Sequence, residues 1–147
     1  MAILTLERIT VGATAVSKED AIRQAGQLLV ESGCVSQEYV TGMHARENTM
    51  STYLGNGVAI PHGTHESIQY IQKAGISVVQ LPNGVEWEDD EKAHLVIGIA
   101  AASDEHMGIL TNLAEVVEDE DIALTLGQTA TAEEILNLLN RQPEMDA

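Results

Sequence analysis

One histidine of this chain is held between a proline and a glycine at the end of a short apolar run. Residues 58–63 read VAIPHG. Pro61 fixes its own φ and pushes Ile60 into an extended conformation, whereas Gly63 lacks a Cβ and lets a bulky group approach the imidazole. We therefore expect His62 to face outward from a stiff strand end, where an imidazole can act as a nucleophile, a base or a metal ligand.

A second histidine and an arginine are the next candidates. His106 follows the apolar run 94–101 and falls in the first turn of the helix predicted from Ser103. Strand-to-helix corners of α/β sheets collect ligands and reacting groups, and the amide groups of such a turn attract an anion. Arg46 carries a planar fork that suits phosphate or carboxylate. A pair with Glu47 or another acid is an equal alternative for this arginine.

The other three histidines are weaker candidates. His65 lies three residues after His62, and the pair would suit a metal ion if both stood on one helical face. The flanking proline and glycine disfavour a helix, and no third ligand is near, so we expect no metal site. His44 is expected at the surface and His94 at the start of a strand.

The charge of the chain excludes several kinds of partner. Seven basic residues against 23 acidic ones give a formal charge of −16. Nucleic acids need clustered Lys and Arg, and an anionic membrane surface attracts basic rather than acidic segments. The charge either steers a basic protein partner or serves solubility alone.

Length and composition indicate one globular domain over residues 1–147. No run approaches the roughly 20 apolar residues of a membrane span, and Glu7 stands where a signal peptide would be apolar or basic. We therefore expect a cytoplasmic protein without direct membrane insertion. The single cysteine, Cys34, excludes an internal disulfide and a Cys-rich zinc site, and we interpret it as structural.

Helical and strand patterns alternate along the chain, which indicates an α/β layered fold with helices flanking one sheet. Ser17 is predicted to cap the first helix and Gly33 to end it. The further predicted helices are 36–47, 103–117, 119–126 and 131–139. The predicted strands are an edge strand in 3–12, a glycine-interrupted segment 52–60, and 75–81, 85–87 and 94–101. The remaining features are a turn at 82–84, a charged loop at 88–92 and a frayed tail at 142–147.

Familiar catalytic signatures are absent from the sequence. It contains no phosphate-binding loop of the Gly-x-x-x-x-Gly-Lys-Ser/Thr type, no Gly-x-Ser-x-Gly, no His-Glu-x-x-His and no Gly-x-Gly-x-x-Gly. A nucleotide-fuelled or metal-activated reaction therefore has no visible machinery. What remains is two histidines and one arginine, His62, His106 and Arg46. This set suits a transient phosphohistidine, in which an imidazole attacks phosphorus and donor groups stabilise the equatorial oxygens.

These residues stand in segments that resemble a known family. Residues 57–64, GVAIPHGT, resemble the phosphorylation-site motif of the IIA components of the bacterial phosphoenolpyruvate-dependent sugar phosphotransferase system, in the mannitol/fructose class. Residues 43–48 with 51–55 resemble the segment before that motif, including its arginine. Residues 95–101 with His106 resemble the strand and the second histidine of the site.

The resemblance covers about residues 4–141, nearly the whole chain. Residues 81–87, LPNGVEW, are closer to the mannitol branch than to the fructose or nitrogen-regulatory branches. The family implies a single α/β domain with a mixed five-stranded sheet flanked by helices on both faces. The mannitol IIA is often fused to membrane IIC and IIB domains, and the start at Met1 leads us to expect a free-standing protein whose partners dock in trans.

The resemblance also implies a role for each matched residue. His62 would accept a phosphoryl group on Nε2 from the histidine-containing phosphocarrier protein and pass it to a cysteine of the cognate IIB domain, which phosphorylates mannitol, or a related hexitol or fructose, during uptake. His106 and Arg46 would lie beside His62 and contact the phosphoryl oxygens, with no metal, nucleotide or other cofactor. As an alternative, the chain would be a regulatory binding module that signals its phosphorylation state to a protein partner.

Phosphoryl transfer sets physical requirements on this site. To attack phosphorus, His62 must present an unprotonated nitrogen, so its Nδ1–H needs an acceptor, for which a backbone carbonyl is expected. A phosphoryl group adds up to about two negative charges, which His106, Arg46 and helix N-terminal amides must offset. Because two partners alternate, we expect a shallow, exposed site with a mostly apolar rim and weak interfaces.

Overall fold

One mixed sheet of five strands forms the centre of the protein. The computed structural model describes residues 4–88, 90–101 and 103–139, without the side chains of 103–107, 109 and 110. The strands are β1 (Ile9–Thr10), β2 (Tyr53–Gly55), β3 (Val58–Ala59), β4 (Gly75–Glu88) and β5 (Glu91–Ala100). They lie in the order β1-β4-β5-β3-β2. The β1–β4 and β3–β5 pairs are parallel and the β2–β3 and β4–β5 pairs antiparallel, which confirms the predicted mixed sheet.

Helices cover both faces of this sheet, as predicted. They are α1 (Lys18–Glu31), α2 (Gln37–Thr49), α3 (Ser103–Val117), α4 (Glu120–Gln128) and α5 (Ala132–Leu139). One apolar cluster joins α1 and α2 to one face, and a second joins α3, α4 and α5 to the other. Successive residues of β5 alternate between the clusters, as the two-residue period of a strand requires. Leu95, Ile97 and Ile99 belong to one, and Val96 and Ala100 to the other.

The first helix begins and ends where the sequence predicts. The Ser17 side chain accepts a hydrogen bond from Asp20 N at 3.1 Å, which satisfies one free amide of the first turn. Beyond the other end, Gly33 has a φ of +80°, the left-handed conformation that follows many helices. Local chemistry therefore suffices to define both ends of α1.

The glycine-interrupted segment 52–60 forms a tight hairpin. β2 and β3 pair around the two-residue turn Asn56–Gly57, whose φ angles of +53° and +80° are those of a type I′ turn. Asn56 Nδ2 donates to Val117 O at 2.9 Å, which ties the turn to the end of α3. From this turn the chain runs beside β5 toward His62.

The predicted turn at 82–84 is wrong, and the predicted loop at 88–92 is shorter than expected, because Glu88 and Glu91 already pair with each other. β4 continues through 82–84 to Glu88, and β5 begins at Glu91, so the two strands form one long ribbon. The register between the strands shifts across 82–84. These residues are therefore an irregularity within a strand instead of its end.

Contacts from distant residues explain why the chain does not reverse at this point. Pro82 O lies 3.2 Å from His94 Nδ1 and 3.2 Å from Gln128 Nε2. Gly84, with a φ of +76°, brings its backbone against the His94 ring, where a Cβ would lie 2.9 Å from Cε1. His94 is consequently half-buried within β5, and not at the start of a strand as predicted.

The remaining sequence predictions concern the edge strand, the single cysteine, the tail and membrane insertion. The predicted edge strand in 3–12 is present as β1, shortened to two residues at one border of the sheet. Cys34 is fully buried, with Ser32 Oγ at 3.5 Å and Arg8 Nη1 at 3.6 Å from its sulfur. The predicted tail, 142–147, lies outside the described residues. Within the described ranges, the helices are too short or too polar to cross a bilayer.

Candidate functional site

His62 lies just beyond β3, at the point where the neighbouring strand gives way to a helix. It forms a parallel bridge with Ile99 of β5, and Ile99 N donates to Pro61 O at 3.0 Å. The chain therefore continues alongside β5 after β3 has ended. Because β5 ends at Ala100 and α3 begins at Ser103, His62 stands at a strand-to-helix corner, a common place for ligands in α/β folds.

A backbone carbonyl fixes the protonation pattern of the His62 ring. Nδ1 lies 2.9 Å from Ile60 O. A carbonyl oxygen only accepts hydrogen bonds, so Nδ1 carries the hydrogen and donates it. In the neutral ring, Nε2 then holds the lone pair that a nucleophile needs. This geometry matches the backbone acceptor predicted from the requirements of phosphoryl transfer.

The predicted outward-facing imidazole is wrong, because His62 is only 9% exposed. The bond from Nδ1 to Ile60 O draws the ring back over its own chain. The bridge to Ile99 then holds that chain against the buried strand β5. A reacting partner therefore has to meet a small opening instead of a prominent side chain.

Tyr39 of α2 holds the chain around His62 and was missed by sequence reasoning. Its hydroxyl donates to Ile99 O at 2.7 Å and accepts from Gly63 N at 2.9 Å. The residue is 2% exposed, and this burial raises the pKa of the Tyr39 hydroxyl to about 12. The hydroxyl is thus protonated at physiological pH and serves both bonds.

Gly63 is a glycine because the Tyr39 ring occupies the space of a side chain. A Cβ at this position would lie 2.6 Å from Tyr39 Cε1 and 2.9 Å from Tyr39 Cζ, and it would also collide with Ser67 Oγ. The Tyr39 ring therefore fills the space that Gly63 leaves open, against the backbone that follows His62. The predicted approach of a bulky group to the imidazole itself stays a prediction.

Arg46 lies in the last turn of α2 and is half-buried. Its Nη1 donates to Met50 O at 2.6 Å. The alternative partner named from the sequence, Glu47, is engaged elsewhere: its carboxyl group lies 3.1 Å from Thr52 N and 3.0 Å from Trp87 Nε1. Arg46 is therefore next to Glu47 in sequence but does not share its network.

The Glu47 network connects the end of α2 to the chain before His62. Glu47, Thr52 and Trp87 are each at most 6% exposed. Thr52, held by Glu47, accepts a hydrogen bond from Ile60 N on its carbonyl at 3.0 Å. Ile60 O in turn receives His62 Nδ1. A buried carboxyl group thus supports the acceptor that orients the imidazole.

The backbone places His106 at the same end of the sheet as His62. His106 lies in the first turn of α3, which begins shortly after β5 ends. The hairpin turn at Asn56 binds Val117 at the far end of α3, and β3 runs from that turn in the direction of β5. His62 therefore lies toward the start of α3. The side chain of His106 is outside the described part of the structure.

The remaining histidines do not join this group. His65 is exposed at the start of a short 3₁₀ helix, Glu66–Tyr70, and His44, predicted at the surface, is half-buried on α2. Among the described residues, His, Cys, Asp and Glu side chains do not gather in threes as a metal site would need.

The fold and the site together define a class of protein, an α/β domain with a histidine at one end of its sheet that a backbone carbonyl holds in one tautomer. A family model described as "Phosphoenolpyruvate-dependent sugar phosphotransferase system, EIIA 2" matches residues 2–142. The chain belongs to this family, so the family predicted from residues 57–64 is confirmed.

Curated relatives and a solved structure agree with this assignment. The chain is 48% identical over 136 residues to the Multiphosphoryl transfer protein of Escherichia coli O157:H7, covering 92% of this chain. It is 44% identical over 140 residues to the Mannitol-specific phosphotransferase enzyme IIA component of Geobacillus stearothermophilus, covering 95% of this chain and 97% of that one. A complex of mannitol enzyme IIA and phosphorylated enzyme IIB from Escherichia coli matches with a TM-score of 0.88 and 42% identity, covering 92% of this chain and 96% of that chain.

The two relatives differ in how much of their length this chain represents. The chain spans 36% of the Multiphosphoryl transfer protein and nearly all of the Geobacillus component. Family membership nevertheless confirms the predicted class, a component of a phosphotransferase system.

Proposed function

We propose that this chain is a phosphocarrier of the sugar phosphotransferase system. His62 accepts a phosphoryl group from the histidine-containing phosphocarrier protein and donates it to a cysteine of a IIB domain, in support of mannitol uptake. The observation that carries the proposal is the 2.9 Å contact between His62 Nδ1 and Ile60 O, because it assigns the lone pair of the neutral ring to Nε2. The names of the mannitol-specific relative and of the solved complex with phosphorylated IIB support the sugar and the second partner.

Each transfer exchanges one bond to phosphorus for another. In loading, the lone pair of His62 Nε2 attacks phosphorus while the N–P bond of the donor phosphohistidine breaks, and the donor nitrogen recovers its electron pair. In unloading, a IIB thiolate attacks phosphorus, an S–P bond forms, and His62 Nε2 recovers its lone pair. Nδ1 keeps its proton and its carbonyl acceptor in both steps.

Phosphorylation of His62 requires groups that offset the new charge. A phosphoryl group adds about two negative charges to a chain whose formal charge is −16. We assign the compensating role to Arg46, His106 and the first-turn amides of α3. Arg46 donates to Met50 O in the unphosphorylated protein, and an exchange of that carbonyl for phosphoryl oxygens brings its guanidinium to the phosphate.

Docking of the phosphocarrier protein has to deliver phosphorus to a ring that is 9% exposed. An acidic chain favours a donor with a basic surface, so rising salt is expected to slow loading. The phosphocarrier protein works in the cytoplasm, and we assign this chain to the same compartment.

A labelling experiment tests the proposal. Phosphoenolpyruvate, together with the two general proteins of the system, is expected to give this protein an acid-labile, base-stable phosphate label. His62→Ala removes the nucleophile and abolishes the label. His65→Ala changes an exposed histidine nearby in the sequence and leaves the label intact. A label that survives His62→Ala would remove His62 from the role.

Transfer to IIB separates the roles of the neighbouring groups. His106→Ala is expected to accept phosphate and to pass it on about 100-fold more slowly, and Arg46→Gln to load about 100-fold more slowly, because each loses a donor to the charge of the transition state. Unchanged transfer would contradict the role of the substituted residue. If loaded protein passes nothing to any IIB domain and binds a regulator according to its phosphorylation state, the regulatory alternative replaces transport.

A further inference from the structure

We propose that Tyr39 is a positioning residue for His62, because one hydroxyl group holds the backbone segments on two sides of the imidazole. The inference rests on the proposed function, since it takes His62 to be the phosphoryl carrier. It goes further by assigning a role in transfer to a residue whose hydroxyl binds backbone atoms and not the phosphoryl group.

The Tyr39 hydroxyl bridges the chain that follows His62 and the strand that pairs with it. It accepts a hydrogen bond from Gly63 N at 2.9 Å and donates one to Ile99 O at 2.7 Å. Gly63 N belongs to the peptide bond that leaves His62, and Ile99 is the residue of β5 that bridges to His62. One oxygen atom thus restrains the carboxyl side of His62 and its neighbour in the sheet at the same time.

The amino side of His62 is held by bonds of another kind. Ile60 N donates to Thr52 O at 3.0 Å, and Ile99 N donates to Pro61 O at 3.0 Å. These bonds resemble a sheet ladder and keep Ile60 O in place for His62 Nδ1. Tyr39 supplies the matching restraint after the histidine, so the backbone is held by hydrogen bonds on both sides of His62.

Burial makes this restraint persistent. Tyr39 is 2% exposed, and water competes poorly for a hydrogen bond in such a place. Since burial also raises the pKa of Tyr39 to about 12, the hydroxyl keeps its proton and can donate and accept together.

Tyr39 also links the imidazole to the arginine proposed to bind phosphate. Tyr39 and Arg46 lie about two turns apart on α2 and therefore share one face of the helix. The hydrogen bonds of Tyr39 fix α2 against the backbone around His62. They therefore also fix the position from which the Arg46 side chain extends. Loss of the hydroxyl is therefore expected to loosen both the nucleophile and its cation.

Tyr53 of β2 offers a control, because its hydroxyl makes a similar bridge at the hairpin turn that precedes β3. Its hydroxyl accepts from Gly57 N at 3.0 Å and lies 3.3 Å from Lys92 O and 3.2 Å from Glu91 Oε1. Like Tyr39, it bridges a glycine amide and a carbonyl of β5. Gly57 belongs to the hairpin turn and not to the chain around His62. A Tyr→Phe substitution at either position removes one oxygen and keeps the ring.

The experiment compares the unsubstituted protein with Tyr39→Phe and Tyr53→Phe in rapid loading by the phosphorylated phosphocarrier protein. For Tyr39→Phe, the loading rate at saturating donor is expected to fall about fivefold, the factor that corresponds to the net contribution of one typical hydrogen bond. The half-saturating donor concentration is expected to stay the same, since the substituted atom is buried and does not touch a docked donor. Tyr53→Phe is expected to load at the unsubstituted rate.

Nitrogen NMR of the unphosphorylated His62 ring gives a second readout. The tautomer with the proton on Nδ1 is expected to dominate in the unsubstituted protein and in Tyr53→Phe, and to give way to a mixture in Tyr39→Phe. A purely structural role would lower the stability of Tyr39→Phe without changing the tautomer of the folded protein.

Three results with the variants would overturn the proposal, and a fourth test uses the unsubstituted protein. Tyr39→Phe would match the unsubstituted protein in both loading and tautomer, both variants would slow loading equally, or the half-saturating concentration alone would rise. Amide exchange in the unsubstituted protein needs no variant: a protected Gly63 amide supports the proposal, and a rapidly exchanging one contradicts it. If the unsubstituted protein takes no label at all, the proposed function fails, whereas the tautomer and the amide exchange still test Tyr39.

Discussion

His62 and His94 make the same hydrogen bond at opposite ends of β5. Each ring directs Nδ1 to a backbone carbonyl, Ile60 O at 2.9 Å for His62 and Pro82 O at 3.2 Å for His94. Both rings are therefore held in the tautomer that leaves Nε2 unprotonated in the neutral state. The local chemistry of the two imidazoles is alike, and their surroundings differ.

Backbone encloses the His94 ring, whereas His62 stands at a strand-to-helix corner. A Cβ on any of three glycines would lie within 3.3 Å of a His94 side-chain atom; these are Gly57, Gly84 and Gly127. His94 thus fills a gap between the hairpin turn, the irregular part of β4 and α4. A fixed tautomer by itself is therefore no sign of a phosphoryl site, and the position relative to the start of α3 makes the difference.

The largest effect is expected for His62→Asn, and His94→Asn is the matched control. The Asn amide keeps a donor near the position of Nδ1 and lacks the nucleophilic nitrogen. His62→Asn is expected to abolish the phosphate label. His94→Asn is expected to load within about twofold of the unsubstituted rate and to lose about 2 kcal/mol of stability through lost packing, measured by urea unfolding. Loss of the label in His94→Asn would break the comparison.

Removal of the Glu47 carboxyl group is expected to lower the free energy of unfolding. Glu47→Ala leaves the buried amide of Thr52 and the indole of Trp87 without their acceptor, and each unsatisfied donor costs about 1–3 kcal/mol. We expect a loss of about 4 kcal/mol in the free energy of unfolding. Glu47→Gln keeps one acceptor oxygen and serves as the milder control. Equal stability of Glu47→Ala and the unsubstituted protein would show that the network is dispensable.

Gly63→Ala is expected to cost about 3 kcal/mol through overpacking. The added methyl group would stand 2.6 Å from Tyr39 Cε1, so either the ring or the peptide after His62 must move, and loading is expected to slow as well. Gly108→Ala is the matched control, because a Cβ at this exposed position of α3 meets nothing within 4 Å. It is expected to stabilise the helix by about 0.5–1 kcal/mol, as thermal unfolding can measure.

The pH dependence of the free energy of unfolding tests Tyr39, with a smaller expected effect. The pKa of Tyr39 is about 12 in the folded protein against 10.0 when unperturbed, so unfolding releases a proton between these values and stability falls as pH rises. The contribution is complete below pH 10.0 and amounts to about 2–3 kcal/mol.

Urea unfolding from pH 9 to about 12 measures this contribution in the unsubstituted protein and in Tyr39→Phe. The two stabilities are expected to converge as pH rises. Burial also raises the pKa of Tyr53, but Tyr53 is present in both proteins and its contribution cancels. Parallel curves would mean that the folded protein does not hold Tyr39 protonated.

Local sequence signals predicted those features that local chemistry determines. The Ser17 cap and the Gly33 end follow from residues close to one another in sequence. The segment 52–60 was predicted only as a glycine-interrupted strand, although the Asn56–Gly57 pair is itself a local signal for the hairpin that forms there. The Pro61–His62–Gly63 segment indicated a stiff support, and the support is present. An exposed ring was also predicted, and this failed because burial depends on the bridge to a distant strand.

Residues with long-range partners could not be predicted in this way. Tyr39 bonds groups 24 and 60 residues away, and Trp87 reaches Glu47 across 40 residues. Tyr39 adjoins Val40 on the predicted helix 36–47, and an aromatic residue beside an apolar one on such a helix is a usable signal of burial. The continuation of β4 through 82–84 had no comparable signal, since it depends on contacts of Pro82 with His94 and Gln128.

Short strands border the sheet on both sides. β1 spans two residues and β2 three, whereas β4 and β5 at the centre span 14 and 10. Where the β4–β5 ribbon extends beyond its neighbours, Glu86, Glu88 and Glu91 place charge along it. Long, flat, uncharged borders recruit strands from other chains and seed aggregates. The described strands present no template of this kind, so the protein is expected to stay dispersed while it meets one partner after another.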